Sequence, residues 1–121
     1  MSDGSEIRER VFRFACAVVD LQELMASRSS GGRELSRQLV RAATFVGANL
    51  EEADAGQSKA DFISKCTIAL KEAREAHYWL RLLRATNKID ASHDDLVHEA
   101  DRIVAVLTTI VRNSRGEGAP K

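Results

Sequence analysis

Apolar residues recur along most of the chain in alternating steps of three and four positions, which is the spacing of helices that bury one face. The first such segment runs from about residue 6 to residue 27, and the polar stretch "SRSSGGR" that follows it, with two glycines, predicts a loop. The same heptad spacing predicts shallow, left-handed helix crossings. The apolar positions of this first helix are Ile7, Val11, Phe14, Val18, Leu21 and Met25.

The pattern predicts three further helices. The second runs from about residue 34 to residue 54 and is ended by Gly56, as helices commonly are. The third begins in "SKAD", where Ser58 is positioned to cap it, and ends near Asn87. The fourth begins in "SHDD", where Ser92 repeats the capping pattern. Their apolar positions are Leu35, Leu39, Ala42, Ala43, Val46, Leu50 and Ala53, then Phe62, Cys66, Ala69, Ala73, Ala76, Leu80 and Leu83, then Leu96, Ala100, Ile103, Leu107 and Ile110.

Four helices of about 20 to 30 residues joined by short loops predict an all-α protein, an antiparallel up-down-up-down four-helix bundle. Strand-like alternation is absent, and the single proline, Pro120, lies in the last segment of the chain. The length suits one core, so we expect a single domain over residues 1–115 and a flexible tail over residues 116–121.

The net charge of the chain indicates which kinds of binding partner it would attract. Lysine plus arginine and aspartate plus glutamate number 18 each, so the chain as a whole has no field that would attract nucleic acid or an anionic membrane. No apolar run is long enough to span a bilayer, and the N-terminus lacks the pattern of a signal peptide. We therefore expect a cytoplasmic protein without a membrane partner, in which Cys16 and Cys66 are buried, reduced thiols, the alternative being a disulfide.

Two predicted helices carry apolar or semi-polar residues outside the face that one bundle would bury. On the third helix these residues fall roughly opposite its apolar face, and on the second they lie beside it. Exposed apolar residues of this kind are typical of subunit contacts. The alternative for Trp79 is that it only packs over a loop or a helix end of its own chain. The predicted oligomer interface consists of Gln38, Phe45, Asn49, Glu52, Ile68, Trp79 and Leu82.

The stretch "TFVGANLEEA" places Gly47 and Asn49 inside a helix that both residues should weaken. We expect Asn49, at the edge of the apolar face, to bond a neighbouring helix and to fix the register of the assembly. We expect Gly47 to point away from the core and to permit close approach of another backbone, the alternative being a tolerated surface glycine.

Arg33, Arg37 and Arg41 repeat every four residues along the second helix and form a candidate contact for nucleic-acid phosphates. The alternative is a solvated face in which Arg41 pairs with Glu34 or Glu52. A second and weaker basic cluster, interleaved with Glu72 and Glu75, consists of Arg74, Arg81, Arg84 and Lys88.

No pattern of catalytic or metal-binding residues is complete. Di-iron bundles need a Glu-x-x-His pair on each of two helices, and the chain offers only Asp95 with His98. Cys66 lies on an apolar face, where a thiol is inert. Phosphate-binding glycine loops and CxxC motifs are absent. We therefore expect no enzymatic activity, no cofactor and no metal.

The segments "QLVRAATFVGANLEEA" (residues 38–53) and "SKADFISKCTIALKEAREAHYWLRLL" (residues 58–83) resemble the 23S rRNA-intervening-sequence protein family. The chain departs from many members in having "FVG" before Ala48 and Asn49, where they have Ser-Ile-Pro, and Ala53 where they have glycine. The resemblance implies a four-helix bundle that assembles into a ring-like homopentamer. A relative, the accessory variability protein of diversity-generating retroelements, is a basic pentamer that works with a reverse transcriptase and nucleic acid.

The sequence thus favours a non-enzymatic, homo-oligomeric and pentameric helical bundle that serves as an interaction or scaffold protein. The alternative is a nucleic-acid-binding accessory protein that acts on structured RNA or on a complex of reverse transcriptase and RNA, or that binds another nucleic-acid-binding protein. Neutral charge favours the first hypothesis, and the family's name favours the second.

Overall fold

The described part of the chain forms four α-helices, as predicted. The computed structural model describes residues 4–56 and 58–116, and within these ranges it contains no β-strand. The predicted all-α four-helix bundle is confirmed. Of the predicted tail, only Gly116 belongs to the described residues. The helices are α1 (Ser5–Ala26), α2 (Ser30–Asp54), α3 (Lys59–Ala85) and α4 (Asp94–Ser114), and a 3₁₀ turn (Ala91–His93) precedes α4.

Each helix runs opposite to the one before it. Between α2 and α3, Arg41 pairs with Glu75, and the later Glu52 pairs with the earlier Lys65. The two helices are therefore antiparallel. The same reversal holds between α1 and α2, where Arg8 contacts Asp54 and Val11 lies next to Gly47. It also holds between α3 and α4, where Arg84 contacts Asp94 and Thr67 contacts Arg115.

The core lies along the bundle axis and draws on all four helices. All six predicted apolar positions of α1 are buried, and Val11 and Val18 are fully so. Four of the predicted apolar positions pack against this core but are only partly buried, namely Leu35, Phe62, Leu96 and Ile110. The contact between α2 and α3 is the most extensive of the neighbouring pairs, and that between α1 and α4 is the smallest. The bundle is therefore tightly closed along α2 and α3 and more open between α1 and α4.

Helix α2 begins earlier than predicted, because the two glycines of "SRSSGGR" lie in its first turn. Ser29 caps the helix, and its hydroxyl accepts a hydrogen bond from the Gly32 amide at 2.9 Å. A Cβ on Gly32 would lie 2.7 Å from Cε of Met25, so the missing side chain lets α2 start close against the end of α1. The prediction of a glycine loop was wrong because a capping serine and close packing favour the helix here.

The caps of α3 and α4 differ. Ser58 caps α3 as predicted, accepting from the amide of Asp61 at 3.1 Å. Ser92 is not the cap that we predicted for α4. The carboxylate of Asp90 accepts from both the amide and the hydroxyl of Ser92 and starts the 3₁₀ turn, and α4 itself begins at Asp94 without a side-chain cap.

An ion pair joins α1 to α4 where these helices make their few contacts. Arg10 donates two hydrogen bonds to Glu99, at 2.6 and 2.9 Å. These hydrogen bonds hold the pKa of Glu99 below its ordinary value, mainly because Arg10 stabilises the charged carboxylate. None of the helices described has the length and apolarity needed to cross a membrane.

Candidate subunit interface

All seven predicted interface residues lie on the side of the bundle where α2 and α3 run next to each other. On both helices they follow the steps of three and four positions that keep side chains on one side of a helix. We call this surface the α2–α3 face. It consists of Gln38, Arg41, Phe45, Asn49 and Glu52 of α2 and Ile68, Glu72, Glu75, Trp79 and Leu82 of α3.

Two large apolar side chains are exposed on this face. Phe45 is 46% exposed and Ile68 is 40% exposed. The antiparallel register places Phe45 level with Glu72 and Ile68 level with Asn49, about one helical turn apart. The two side chains therefore lie on either side of the α2–α3 groove, about one helical turn apart along the bundle axis.

A charged network lies beside Phe45. The guanidinium of Arg41 bonds the carboxylate of Glu75 and lies 5.7 Å from the centre of the Phe45 ring. The indole nitrogen of Trp79 donates to the same carboxylate at 3.3 Å. Glu72 lies 4.0 Å from Arg41, and its buried Oε1 has no hydrogen-bond partner in the described part of the chain. Arg41 is thus a structural clamp between α2 and α3 as well as part of the surface.

We predicted that Trp79 and Leu82 lie on the side of α3 opposite its buried face, and this prediction was wrong. Both are half-buried, and Trp79 packs against the core. The prediction assumed that α3 buries a single stripe, whereas its broad contact with α2 covers the flank as well. Tyr78, which the sequence did not single out, is 49% exposed and packs edge-on against Trp79 with ring centres 5.3 Å apart.

Asn49 and Gly47 occupy different environments from those we expected. The side-chain amide of Asn49 donates to the carbonyl of Phe45, one turn back in its own helix, at 2.9 Å. The expected bond to a neighbouring helix is therefore not formed within the described chain. Gly47 faces α1 instead of pointing away from the core, and a Cβ there would lie 3.6 Å from Cγ1 of Val11, an ordinary contact.

The arginine row of α2 is largely neutralised. Arg37 pairs with Glu34 at 2.9 Å, and Arg41 pairs with Glu75. Arg33 makes only a long contact of 3.5 Å to the carbonyl of Ala26. The structure thus favours the alternative of a solvated, ion-paired face, although the partners differ from those predicted. Glu52, for example, pairs with Lys65.

The sequence pattern also missed an exposed apolar surface on α1. Phe12 is 62% exposed and Val19 is 39% exposed. Cys16 lies between them and is exposed as well, so the expectation of a buried thiol was wrong for Cys16 and holds for Cys66. Their spacing of four and three residues, outside the buried positions of α1, was the available signal.

A cleft of about 640 Å³ opens at the end of the bundle that holds the start of α1, and residues of all four helices line it. Burial raises the pKa of the Cys66 thiol in its wall, which keeps that thiol protonated and unreactive. Over residues 4–56 and 58–116, no three histidine, cysteine, aspartate or glutamate side chains are grouped as metal ligands. The apolar wall of the cleft is formed by Ile7, Leu50, Ala53, Phe62, Cys66, Val106 and Ile110.

The fold and this surface define an all-α four-helix bundle that presents apolar side chains and ion pairs on its outer α2–α3 face. Residues 4–109 match the family described as "23S rRNA-intervening sequence protein", and the chain belongs to that family. A crystal structure at 1.70 Å of a protein of unknown function from the S23 ribosomal protein family of Bacteroides thetaiotaomicron VPI-5482 is similar. It is 33% identical, with a TM-score of 0.84 over 92% of this chain and 99% of that one. Among curated protein sequences, no relative matches the chain.

Proposed function

We propose that the protein is a non-enzymatic interaction module that assembles with copies of itself, as a homopentamer, through the α2–α3 face. The observation that carries this proposal is the exposure of Phe45 and Ile68 at neighbouring heights across one groove. Exposed apolar surface framed by polar groups is typical of subunit contacts. The number five is taken from the resemblance to the family.

The energetics of the face suit an interface. Fully burying a phenylalanine or isoleucine side chain contributes about 1.5 to 3 kcal/mol, so covering the exposed part of each contributes about 1 kcal/mol. Arg41 is held in place by its ion pair with Glu75 and its contact with Phe45. Because its side chain is already ordered, a partner that binds it loses less conformational entropy on association.

Light scattering coupled to size-exclusion chromatography tests the assembly. At micromolar concentration we expect a mass about five times the 13.3 kDa of one chain. Phe45→Gln and Ile68→Gln should each lower the mass, because glutamine keeps helix propensity while removing apolar surface. Ala105→Gln is the control, since Ala105 is exposed on α4 and lies outside the surfaces proposed for association. A wild-type mass near that of one chain would refute the proposal.

The alternative function is binding of nucleic acid through Arg33, Arg37 and Arg41, and the family's name is the observation in its favour. The ion pairs of Arg37 and Arg41 weigh against it. We expect weak binding of structured RNA that fades steeply as salt rises and is lost when the three arginines are changed to glutamine. Tight, salt-resistant binding by the purified protein would make RNA binding the leading function. Binding that survived the triple change would exclude this row as the contact.

A further inference from the structure

Helix α1 exposes an outer row of apolar and acidic residues away from the core. Phe12 is the most exposed of the large apolar side chains in the part of the chain that the structure describes. Asp20 and Glu23 are exposed and form no ion pair with any described residue. We call this row the α1 face, and it consists of Phe12, Cys16, Val19, Asp20 and Glu23.

Helix α3 exposes a row of the opposite charge. Lys71, Arg74, Tyr78 and Arg81 follow one side of the helix in steps of three and four, and all four are exposed. We call this row the α3 face. Its three cations form no ion pair within the described ranges. The glutamates between them in sequence turn toward α2, where Arg41 lies, so the outer side of α3 is left basic.

The two faces have matching lengths and lie on opposite corners of the bundle. The helices neighbour one another in the order α1, α2, α3, α4, and α4 returns to α1, so α1 and α3 are diagonal. At 1.5 Å per residue, the α1 face is about 16 Å long and the α3 face about 15 Å. Complementary surfaces at different places on one molecule generate head-to-tail contacts, which form a ring when the rotation closes.

We infer that the α1 face of one protomer docks on the α3 face of the next copy of the chain. With the two helices antiparallel, Asp20 and Glu23 then meet Arg74 and Lys71, and Phe12 packs near Tyr78 and Arg81. The inference rests on the proposed homo-oligomer, and it identifies the α1 face as the surface of the neighbouring copy that α3 contacts. The α3 face is continuous with the α2–α3 face, because Ile68 lies one turn before Lys71 on the same helix. A nucleic acid would engage the cations but would leave the apolar part of α1 uncovered, so a second copy accounts for both faces.

Charge reversal tests the inference. The α3 variant carries Lys71→Glu, Arg74→Glu and Arg81→Glu, and the α1 variant carries Asp20→Lys and Glu23→Lys. Each variant alone should lose the wild-type oligomer, because like charges then meet across the contact. Both sets of changes in one chain should restore the wild-type mass. Glutamate and lysine are good helix formers, and circular dichroism verifies that each variant is folded.

Mixing the two variants gives a further, sharper result. The α1 variant is basic on both faces and the α3 variant is acidic on both, so each associates only with the other. In a head-to-tail ring the two must alternate, and only even-numbered rings can close. We therefore expect the mixture to form assemblies with equal numbers of both chains and a mass different from an odd-numbered wild-type ring.

A control separates local charge from net charge. Arg28, Lys59 and Arg112 are exposed, lie outside both faces and form no ion pair with described residues. Changing all three to glutamate alters the net charge as much as the α3 variant does, and this control should keep the wild-type mass.

The possible results divide cleanly. A wild-type protein with the mass of one chain refutes the proposed function and this inference together. A wild-type oligomer that both reversals leave intact refutes the inference alone, as does a double reversal that fails to restore the mass of a folded chain. If the α3 variant keeps its mass but loses binding to a fluorescent single-stranded oligonucleotide, the α3 face binds nucleic acid and the inference is wrong.

Discussion

Gly47→Ala offers a direct test of how α2 packs against α1. Gly47 lies in the middle of α2, and its φ is not in the left-handed region that favours glycine. A methyl group at this position would meet Cγ1 of Val11 at 3.6 Å, which is an ordinary van der Waals distance. The substitution therefore adds a contact without displacing a neighbour.

The expected gain follows from the helix and the contact together. Alanine is favoured over glycine inside a helix by about 1 kcal/mol. Partial burial of the new methyl group against Val11 adds a few tenths of a kcal/mol. For a domain of this size, a gain of about 1 kcal/mol raises the midpoint of thermal unfolding by about 4 °C. Thermal unfolding followed by circular dichroism measures this shift, at one fixed protein concentration because assembly makes the midpoint concentration-dependent.

Gly32→Ala is the matched comparison, since Gly32 is also helical. Its new methyl group would lie 2.7 Å from Cε of Met25 and 2.9 Å from the hydroxyl oxygen of Ser29, which caps α2. Overpacking costs about 1 to 3 kcal/mol and offsets the gain in helix propensity of about 1 kcal/mol. We expect this variant to be no more stable than the wild type, and less stable if the cap is displaced.

The opposite outcome at Gly47 would refute this account. If Gly47→Ala lowered the midpoint by several degrees, a backbone or a second chain would have to approach this glycine more closely than Val11 does. A lower midpoint with a smaller oligomer mass would place that neighbour in another protomer. A raised midpoint with unchanged mass supports the packing described here.

Three further predictions concern a pH effect, a cap and the edge of the α2–α3 face. Because its bonds to Arg10 lower the pKa of Glu99, the pair stabilises the fold at neutral pH and this contribution is lost as pH falls below about 4.3. Glu99→Gln should therefore lower the free energy of unfolding in urea by about 0.5 to 1 kcal/mol at pH 7 and by less at pH 3; equal losses would contradict this. Asp90→Ala should lower the thermal midpoint more than Ser92→Ala, because only Asp90 accepts both hydrogen bonds of the 3₁₀ turn; the reverse order would restore Ser92 as the cap. Asn49→Leu should keep thermal stability but change the mass or uniformity of the oligomer by light scattering, and a destabilised variant of unchanged mass would show a purely internal role.

The sequence by itself determined the helices and most of the core. The four-three spacing placed Val11, Val18, Leu39 and Leu80 at positions that are fully or almost fully buried. Such spacing is informative because 3.6 residues per turn fix which side chains share a face before any helix packs. It also allowed the family to be recognised, since the segments that carry the resemblance lie in α2 and α3.

Helix ends were less predictable. The glycines after Ser29 suggested a loop, and Ser92 suggested a cap, yet α2 includes those glycines and Asp90 takes the capping role. Caps depend on which of several nearby hydroxyl and carboxylate groups can reach a free amide, and the approach of a neighbouring helix end decides this.

Only the tertiary structure decided which charges and apolar groups reach the surface. Interleaved glutamates seemed to neutralise the cations of α3, but Glu72 and Glu75 lie on the side of Arg41, so Lys71, Arg74 and Arg81 face outward without them. Trp79 and Leu82, equally, are half-buried because α2 covers the flank of α3. A helical pattern gives the angle of a side chain around its own axis, whereas exposure and charge pairing depend on where the neighbouring helix lies and on the register at which it packs.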